Sequence, residues 1–296
     1  MNKTILYGNG LNYLSENAIG WNDLLDKLMK EKKFEMNFLP NIMAYERIRL
    51  NWNKSNGKLP HLKTEISKLL KDQPTNRFYE ELLDIDCLNY LTTNYDYAVN
   101  KVAPEFSIKN NSTEELYSIR RNTSLFLGDI QIAKIWNIHG EIDHPKSIML
   151  GLNHYCGSIG KIDGYLKGTY DFFSKGQKTK IKPIEEKLEL NEFDGHSWIE
   201  LFFNSNIHIA GFGLDFSEID LWWILNKRVR LKESSLIKNQ IFYYTKPIEE
   251  VKKEIEVEKR RREILEIFDV KIQIISTNDG YDKQWGEIVK RIKSHS

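Results

Sequence analysis

Three short segments carry residue types that could bind and cleave a phosphorylated sugar, and each follows an apolar run typical of a strand. They are Gly8-Asn9-Gly10 after residues 4–7, Asn94 with Asp96 after residues 87–91, and His139 after residues 135–138. Glycine turns present backbone N–H groups to phosphates, an amide can hold a ribose hydroxyl or a water, and a histidine can accept a proton near neutral pH. The set predicts a site that cleaves a nucleotide.

A parallel sheet would bring these segments together. Towards the end of the chain, strand patterns at residues 207–210, 240–244 and 270–276 alternate with helical patterns. Repeated β-α-β units predict an α/β fold with a doubly wound, mainly parallel, Rossmann-like sheet. The carboxyl ends of parallel strands meet at one edge of such a sheet, where ligands bind. We therefore expect one pocket to contain all three segments.

Two insertions interrupt the alternation. Helical patterns fill residues 20–84, between the first and second strands, and a less regular insertion spans about 155–195. Within a single domain spanning residues 1–296, we expect a helix over Tyr165–Phe173, a loop over Lys109–Glu115 and a strand over Ser147–Leu150.

Composition excludes several function classes. Lysine and arginine total 43 against 42 aspartates and glutamates, so no net electrostatic field favours binding to a nucleic acid or a membrane. The two cysteines form no C-x-x-C pair, which excludes a cysteine-based zinc site and a disulfide scaffold. We expect a soluble cytoplasmic protein without a signal peptide, a membrane span or a metal.

Each motif also has a purely structural interpretation. The first glycine turn could serve only to connect a strand and a helix, the polar residues around Asn94 could form a capping turn, and His139 could be packed in the core. Gly211-Phe212-Gly213, after residues 207–210, is either a tight turn or a second phosphate cradle. A dehydrogenase fingerprint is excluded, because its β-α-β unit takes about 30 residues and the second strand here follows the first only across the helical insertion.

The order of the motifs resembles the sirtuin-like superfamily. A glycine turn, Thr92-x-Asn94-x-Asp96, His139-Gly140 and a late glycine loop occur in that order between Thr4 and about Leu225. More narrowly, the segments 8–12 and 211–220 resemble zinc-free sirtuin-like proteins of bacterial antiphage defence, whose activity is NAD cleavage. The resemblance implies an NAD glycohydrolase that acts as an abortive-infection effector, with NAD as its substrate and no cofactor.

The resemblance also implies roles for individual residues. The family's catalytic asparagine and histidine fall on Asn94 and His139. Its nucleotide-binding positions fall on Gly8, Asn9, Gly10, Asn12, Thr93, Asp96, Gly211 and Gly213. An unregulated NAD hydrolase would kill its own cell, so we expect activation by homo-oligomer assembly or by a separately encoded protein. The pair Trp222–Trp223 and the charged segment Lys252–Glu263 are candidate contact surfaces, or simply a core pair and a solvated helix.

Two alternatives remain open. A non-catalytic subunit that senses NAD would use the same cradle but needs no base. Protein deacylation is disfavoured, because deacylating sirtuins carry a four-cysteine zinc ribbon that this chain cannot build, and have Ala at the position of Asn9.

Overall fold

The computed structural model describes residues 1–29, 39–55, 59–102, 104–111, 114–174, 176–248, 254–276 and 280–295. Its strands are β1 (Lys3–Tyr7), β2 (Asn89–Thr92), β3 (Ser107–Asn111), β4 (Asn122–Leu127), β5 (Ile130–Asn137), β6 (Asp171–Ser174), β7 (Gln177–Lys180), β8 (Asn206–Ala210), β9 (Ile241–Thr245) and β10 (Val270–Ile274). Its helices are α1 (Trp21–Met29), α2 (Asn41–Ser55), α3 (Leu59–Leu70), α4 (Arg77–Leu83), α5 (Leu152–Leu166), α6 (Ile184–Leu190), α7 (Leu201–Asn204), α8 (Ile219–Lys232), α9 (Glu254–Ile267) and α10 (Tyr281–Ser294).

An eight-stranded sheet has the order β10-β9-β8-β1-β2-β5-β4-β3, and β6 and β7 form a separate hairpin. The six strands from β10 to β5 run parallel, while β4 and β3 add antiparallel pairs at one edge. This confirms the predicted mainly parallel α/β fold. From β1 the chain builds first towards β2 and β5 and later towards β8, β9 and β10, so the direction reverses between β1 and β8. Ligands of open α/β sheets bind at such a switch point.

The strand ends lie level with one another at the switch point. Tyr7 pairs with Thr92 on one side and with Ala210 on the other, and Thr92 pairs with Asn137. Each of these residues is followed within two positions by one of the predicted functional segments. The register therefore delivers all of those segments to the same edge of the sheet.

Both faces of the sheet are covered by helices. Side chains of successive strand residues point to opposite faces, so Leu6 packs in a core with residues of α5–α9, while Ile5 and Tyr7 pack in a core with residues of α4 and α10. A third apolar cluster joins α1, α2 and α3 to Tyr95 and Leu150, which follow β2 and β5. Helices α1, α2 and α3 of the insertion therefore lie over the carboxyl edge of the sheet.

Two predictions around the antiparallel edge are wrong. Residues 109–111 of the expected loop Lys109–Glu115 belong to β3, which pairs with β4; residues 112 and 113 lie outside the described part. As an exposed edge strand, β3 has backbone pairing without the alternation of apolar side chains that would predict it. The expected strand Ser147–Leu150 is instead a 3-10 turn, Pro145–Ser147, followed by a buried segment whose Met149 N–H donates to the His139 carbonyl (2.9 Å).

The expected helix Tyr165–Phe173 is also wrong. Helix α5 ends at Leu166, and Gly168 then adopts φ of +69°, a left-handed conformation that turns the chain into the β6–β7 hairpin. The two candidate contact surfaces stay predictions: Trp222 and Trp223 are only partly buried against the core, and Lys252 lies outside the described residues. Within the described ranges, no helix has the length and apolar character needed to cross a membrane.

Candidate active site

A cavity of about 470 Å³ opens at the switch point, over the carboxyl ends of the parallel strands. Most of the predicted site residues line it: Asn9, Gly10, Thr93, Asn94, Asp96, His139, Gly211 and Gly213. Gly8 and Asn12 are buried behind this lining. The fold thus brings together segments that are separated by up to two hundred residues of sequence.

The two glycine turns contact each other directly. The Gly10 N–H donates to the Gly211 carbonyl (2.8 Å), and a Cβ on Gly10 would lie 2.4 Å from that oxygen. Gly211 itself has φ of +61°, which side chains rarely tolerate. At Gly8, a Cβ would lie 2.5 Å from the ring of Phe212. The glycines are required for the turns to pack together at the switch point.

Asn12 connects the first turn to the segment after β2. Its side chain is fully buried and donates to Asn9 Oδ1 (2.7 Å) and Asp96 Oδ2 (3.0 Å), and its own oxygen accepts from the Tyr79 hydroxyl (2.6 Å). Burial raises the pKa of Asp96, while its hydrogen bonds, including one from the Ala98 N–H (2.9 Å), act in the opposite direction. Asn12 therefore holds two cavity-lining side chains in place.

Asn94 lies between the segment after β2 and the first glycine turn. Its backbone N–H donates to Thr92 Oγ1 (3.1 Å), and its side-chain amide donates to the Gly8 carbonyl (3.3 Å). The side chain is buried yet lines the cavity. The amide is thereby held against the backbone of the first glycine turn.

His139 follows the end of β5 and is almost completely buried, with 2% of its surface exposed. Both ring nitrogens face carboxylates: Nε2 lies 3.2 Å from Asp220 Oδ2, and Nδ1 lies 3.5 Å from Glu218 Oε2. Because a carboxylate can only accept, Nε2 carries a proton in this arrangement. Burial alone would lower the pKa of His139, but the charge and hydrogen bond of Asp220, together with the charge of Glu218, raise it above its usual value.

Asp220 is fully buried in the first turn of α8. It accepts hydrogen bonds from Ser158 Oγ (3.2 Å) and from the Leu221 N–H (2.9 Å), as well as facing His139. The amino end of a helix also favours a negative charge at this position. These partners compensate for the burial of an ionised carboxylate.

Glu218 precedes α8 and lines the cavity. Its Oε2 accepts from the Tyr155 hydroxyl (2.9 Å), and the Tyr155 ring packs edge-on against His139 with centroids 5.6 Å apart. Burial raises the pKa of Glu218 to about 7, with Asp220 and Asp215 acting in the same direction and His139 opposing them. The Glu218 carboxyl group, whose pKa lies near neutral pH, therefore lines the cavity.

The motifs in the sequence did not identify Glu218 or Asp220. In the turn before α8, Asp215 Oδ1 accepts from the Ser217 N–H (2.9 Å). The available signal was two acidic residues at the start of the helix that follows the second glycine turn. Acidic residues are common in the first turn of a helix for structural reasons, so this signal alone does not indicate chemistry.

Glu218, Asp220 and His139 also form a cluster whose nitrogen and oxygen atoms lie within 4.8 Å of one another, close enough to hold a metal ion. The contacts of both ring nitrogens are, however, accounted for by carboxylates, and those of Asp220 by hydrogen bonds. We therefore interpret the cluster as an acid–base group, and the expectation of no metal stays a prediction.

The cavity has two further walls that the sequence did not identify. At one end, the last residues of β9, the residue after it and α10 line the cavity, with Tyr243, Thr245, Lys246, Tyr281 and Gln284. At the other, the helical insertion and the segment after β5 contribute apolar and aromatic side chains: Tyr13, Trp21, Leu24, Ile42, Leu150 and Tyr155. An elongated ligand with phosphates at its centre would fit this distribution.

Comparison with known proteins finds a distant similarity over part of the chain. No family model matches the chain. Over 167 residues it is 23% identical to the NAD(+) hydrolase ThsA of Bacillus cereus (strain MSX-D12), a match that covers 56% of this chain. The matched part spans only 33% of that protein. The chain is thus a distant relative of an NAD(+) hydrolase.

Proposed function

We propose that this chain hydrolyses NAD to nicotinamide and ADP-ribose. The observation that carries the proposal is that Asn94 and His139 line the same switch-point cavity as both glycine turns. The distant relative is an NAD(+) hydrolase, which supports the same chemistry. The catalytic and NAD-binding roles of the individual residues are part of the proposal.

The location of the residues suggests how NAD would lie. The glycine turns at β1 and β8 would bind the pyrophosphate through backbone N–H groups. Asn94 and His139 follow β2 and β5, so the nicotinamide ribose would occupy that side, with the nicotinamide towards the apolar wall of the helical insertion. The adenosine would then extend towards Tyr243 and Lys246, which belong to the opposite side of the switch point.

The reaction needs few groups. The bond between C1′ and the nicotinamide nitrogen breaks with its electron pair going to nicotinamide, which leaves as a neutral molecule. No general acid is required for that departure, unlike the protonated sugar oxygen of ordinary glycosidases. A water then bonds to C1′ and loses a proton to the cluster around His139, while Asn94 holds the ribose or the water. General-base assistance contributes about 10²- to 10⁴-fold.

The biological role we propose is NAD depletion in antiphage defence, as an abortive-infection effector. Activation would come from homo-oligomer assembly or from a separately encoded partner. Deacylation is not proposed, because the two cysteines, a buried Cys87 and an exposed Cys156, cannot supply a four-cysteine zinc ribbon.

The test is NAD consumption by the purified chain, with Asn94→Ala and His139→Ala compared with two matched controls. Asn153→Ala and His144→Ala change exposed side chains that do not line the cavity. We expect nicotinamide and ADP-ribose from the wild type and both controls, and their loss in the two site variants.

If the isolated chain is silent, the same variants are measured in cells challenged with phage. If the purified protein binds NAD but the NAD level in infected cells stays constant, we would reject the hydrolase proposal. The non-catalytic sensing subunit would then be the better interpretation.

A further inference from the structure

Within the cluster around His139, Glu218 has the most exposed side chain, and one of its two carboxylate oxygens accepts no hydrogen bond from the residues that the structure describes. We propose that Glu218 is the catalytic base that takes the proton of the attacking water. The protonated His139 positions the Glu218 carboxylate and favours its negative charge. This inference rests on the proposed NAD hydrolysis, and it assigns a residue that neither the sequence motifs nor the comparison identified.

The first argument is the orientation of His139. Its Nε2 faces Asp220 and its Nδ1 faces Glu218, so neither ring nitrogen is directed at a free position in the cavity. A doubly protonated imidazole donates at both nitrogens, which matches two carboxylate partners better than a neutral ring does. His139 is therefore suited to hold a carboxylate rather than to accept a proton from water.

The second argument is the accessibility of Glu218. Its side chain keeps 17% of its surface exposed, against 2% for His139 and none for Asp220. Oε2 is occupied by the Tyr155 hydroxyl and faces His139, whereas Oε1 accepts no hydrogen bond from the part of the chain that the structure describes. One carboxylate oxygen is thus fixed and the other is available to a water.

The third argument is the match between the proton affinity of Glu218 and neutral pH. A base works best when its pKa lies near the working pH, and the surroundings of Glu218 raise its pKa to about 7. The titratable groups that face it come from several elements: His139, Tyr95, Tyr155, Asp215 and Asp220. Of these, the protonated His139 and the hydrogen bond from the Tyr155 hydroxyl favour the ionised carboxylate.

The proposed step is balanced. The C1′–N bond breaks and its electron pair goes to nicotinamide; the water oxygen forms the C1′–O bond; one water O–H bond breaks and its proton goes to Glu218 Oε1. The carboxyl group then returns this proton to solvent through the open cavity. NAD and water are the only reactants.

The test compares Glu218→Gln with Glu185→Gln. Glutamine keeps the size of Glu218 and can still accept from Tyr155, but it cannot take a proton. Glu185 is an exposed acid on α6 and serves as the control. We expect kcat to fall by about 10²- to 10⁴-fold in Glu218→Gln, with the KM for NAD and the melting temperature close to wild type. Glu185→Gln should match the wild type throughout.

A second variant distinguishes loss of the base from misfolding and from a merely structural role of Glu218. Glu218→Ala leaves space for a small anion, so added formate should restore part of its activity while having no effect on the wild type. In addition, wild-type kcat should decrease as the pH falls through the pKa of Glu218, and this decrease should be absent from the residual activity of Glu218→Gln.

The outcomes separate the two proposals. An active wild type with an equally active Glu218→Gln, or a slow Glu218→Ala that formate does not improve, overturns the role of Glu218 and leaves NAD hydrolysis intact. A wild type that cleaves no NAD, alone or in infected cells, overturns the proposed function and this inference with it.

Discussion

His139 Nε2 lies 3.2 Å from Asp220 Oδ2, although 81 residues separate the two in sequence, and both side chains are almost completely buried. The contact joins the end of β5 to the first turn of α8 across the switch point. It keeps a proton on Nε2 and directs Nδ1 towards Glu218. The pair therefore stabilises the fold and also sets the orientation and protonation of the ring that faces Glu218.

Asp220→Asn should lower the pKa of His139 and destabilise the protein in a pH-dependent way. Because the folded protein raises the pKa of His139, the protonated ring stabilises the fold below about pH 6.5, and this contribution is lost as the pH rises through the raised value. Removing one partner of a buried charged pair costs about 3–5 kcal/mol, so the loss should be larger at pH 6 than at pH 9.

Urea denaturation at the two pH values measures this effect, and an NMR titration follows the His139 ring. Asp129→Asn, at the exposed tip between β4 and β5, is the control and should change neither. An equal loss of stability at both pH values would mean that Asp220 acts through Ser158 and the helix rather than through His139.

Gly10→Ala should weaken both the fold and the binding of NAD. The added Cβ would lie 2.4 Å from the Gly211 carbonyl, so the two glycine turns must separate. Overpacking of this kind costs about 1–3 kcal/mol. Gly160→Ala in α5, where a Cβ meets no atom within 4 Å, should instead leave stability equal or slightly higher.

Thermal melting and calorimetric titration with NAD compare the two alanine variants. Unchanged melting of Gly10→Ala would show that the turns tolerate separation and that their contact is not what shapes the cavity.

The chain order of the glycine turn, Asn94, His139 and the second glycine turn was sufficient to predict one shared pocket. That prediction depended only on strand ends, and a parallel sheet aligns strand ends by its backbone geometry. Strand β3 was missed because an exposed edge strand gains its pairing from the backbone and leaves little trace in side-chain pattern.

Glu218 and Asp220 were missed for a different reason. Their significance comes from their approach to His139, and no local pattern encodes a contact across 81 residues. For the same reason the sequence suggested a lone histidine base, whereas the ring is enclosed by two carboxylates. Local motifs predict which segments reach the site, but tertiary contacts determine the pKa values of the titratable side chains there.

The variant Asn12→Ala tests whether Asn12 contacts NAD directly or holds the neighbouring side chains in place. The buried amide of Asn12 holds Asn9, Asp96 and Tyr79. Its loss leaves buried polar groups without a partner, which costs about 1–3 kcal/mol each. We expect a clear fall in the free energy of unfolding together with a raised KM for NAD, measured by urea denaturation and steady-state kinetics. The exposed Asn153→Ala is the control, and a raised KM with unchanged stability would instead indicate direct contact with NAD.

NAD cleavage should be unaffected by EDTA. The ring nitrogens of His139 face carboxylates, and Asp220 accepts further hydrogen bonds from Ser158 and Leu221, so the cluster is satisfied without an ion. Activity is measured after dialysis against EDTA and again after addition of Mn²⁺ or Zn²⁺, and we expect less than a twofold change at either step. Loss of activity on chelation with recovery on one metal would instead assign His139, Glu218 and Asp220 as metal ligands, because these are the atoms that lie close enough together to share an ion within the described residues. In that case Glu218 would act as a ligand rather than as the base, and the metal would supply the increased acidity of the attacking water.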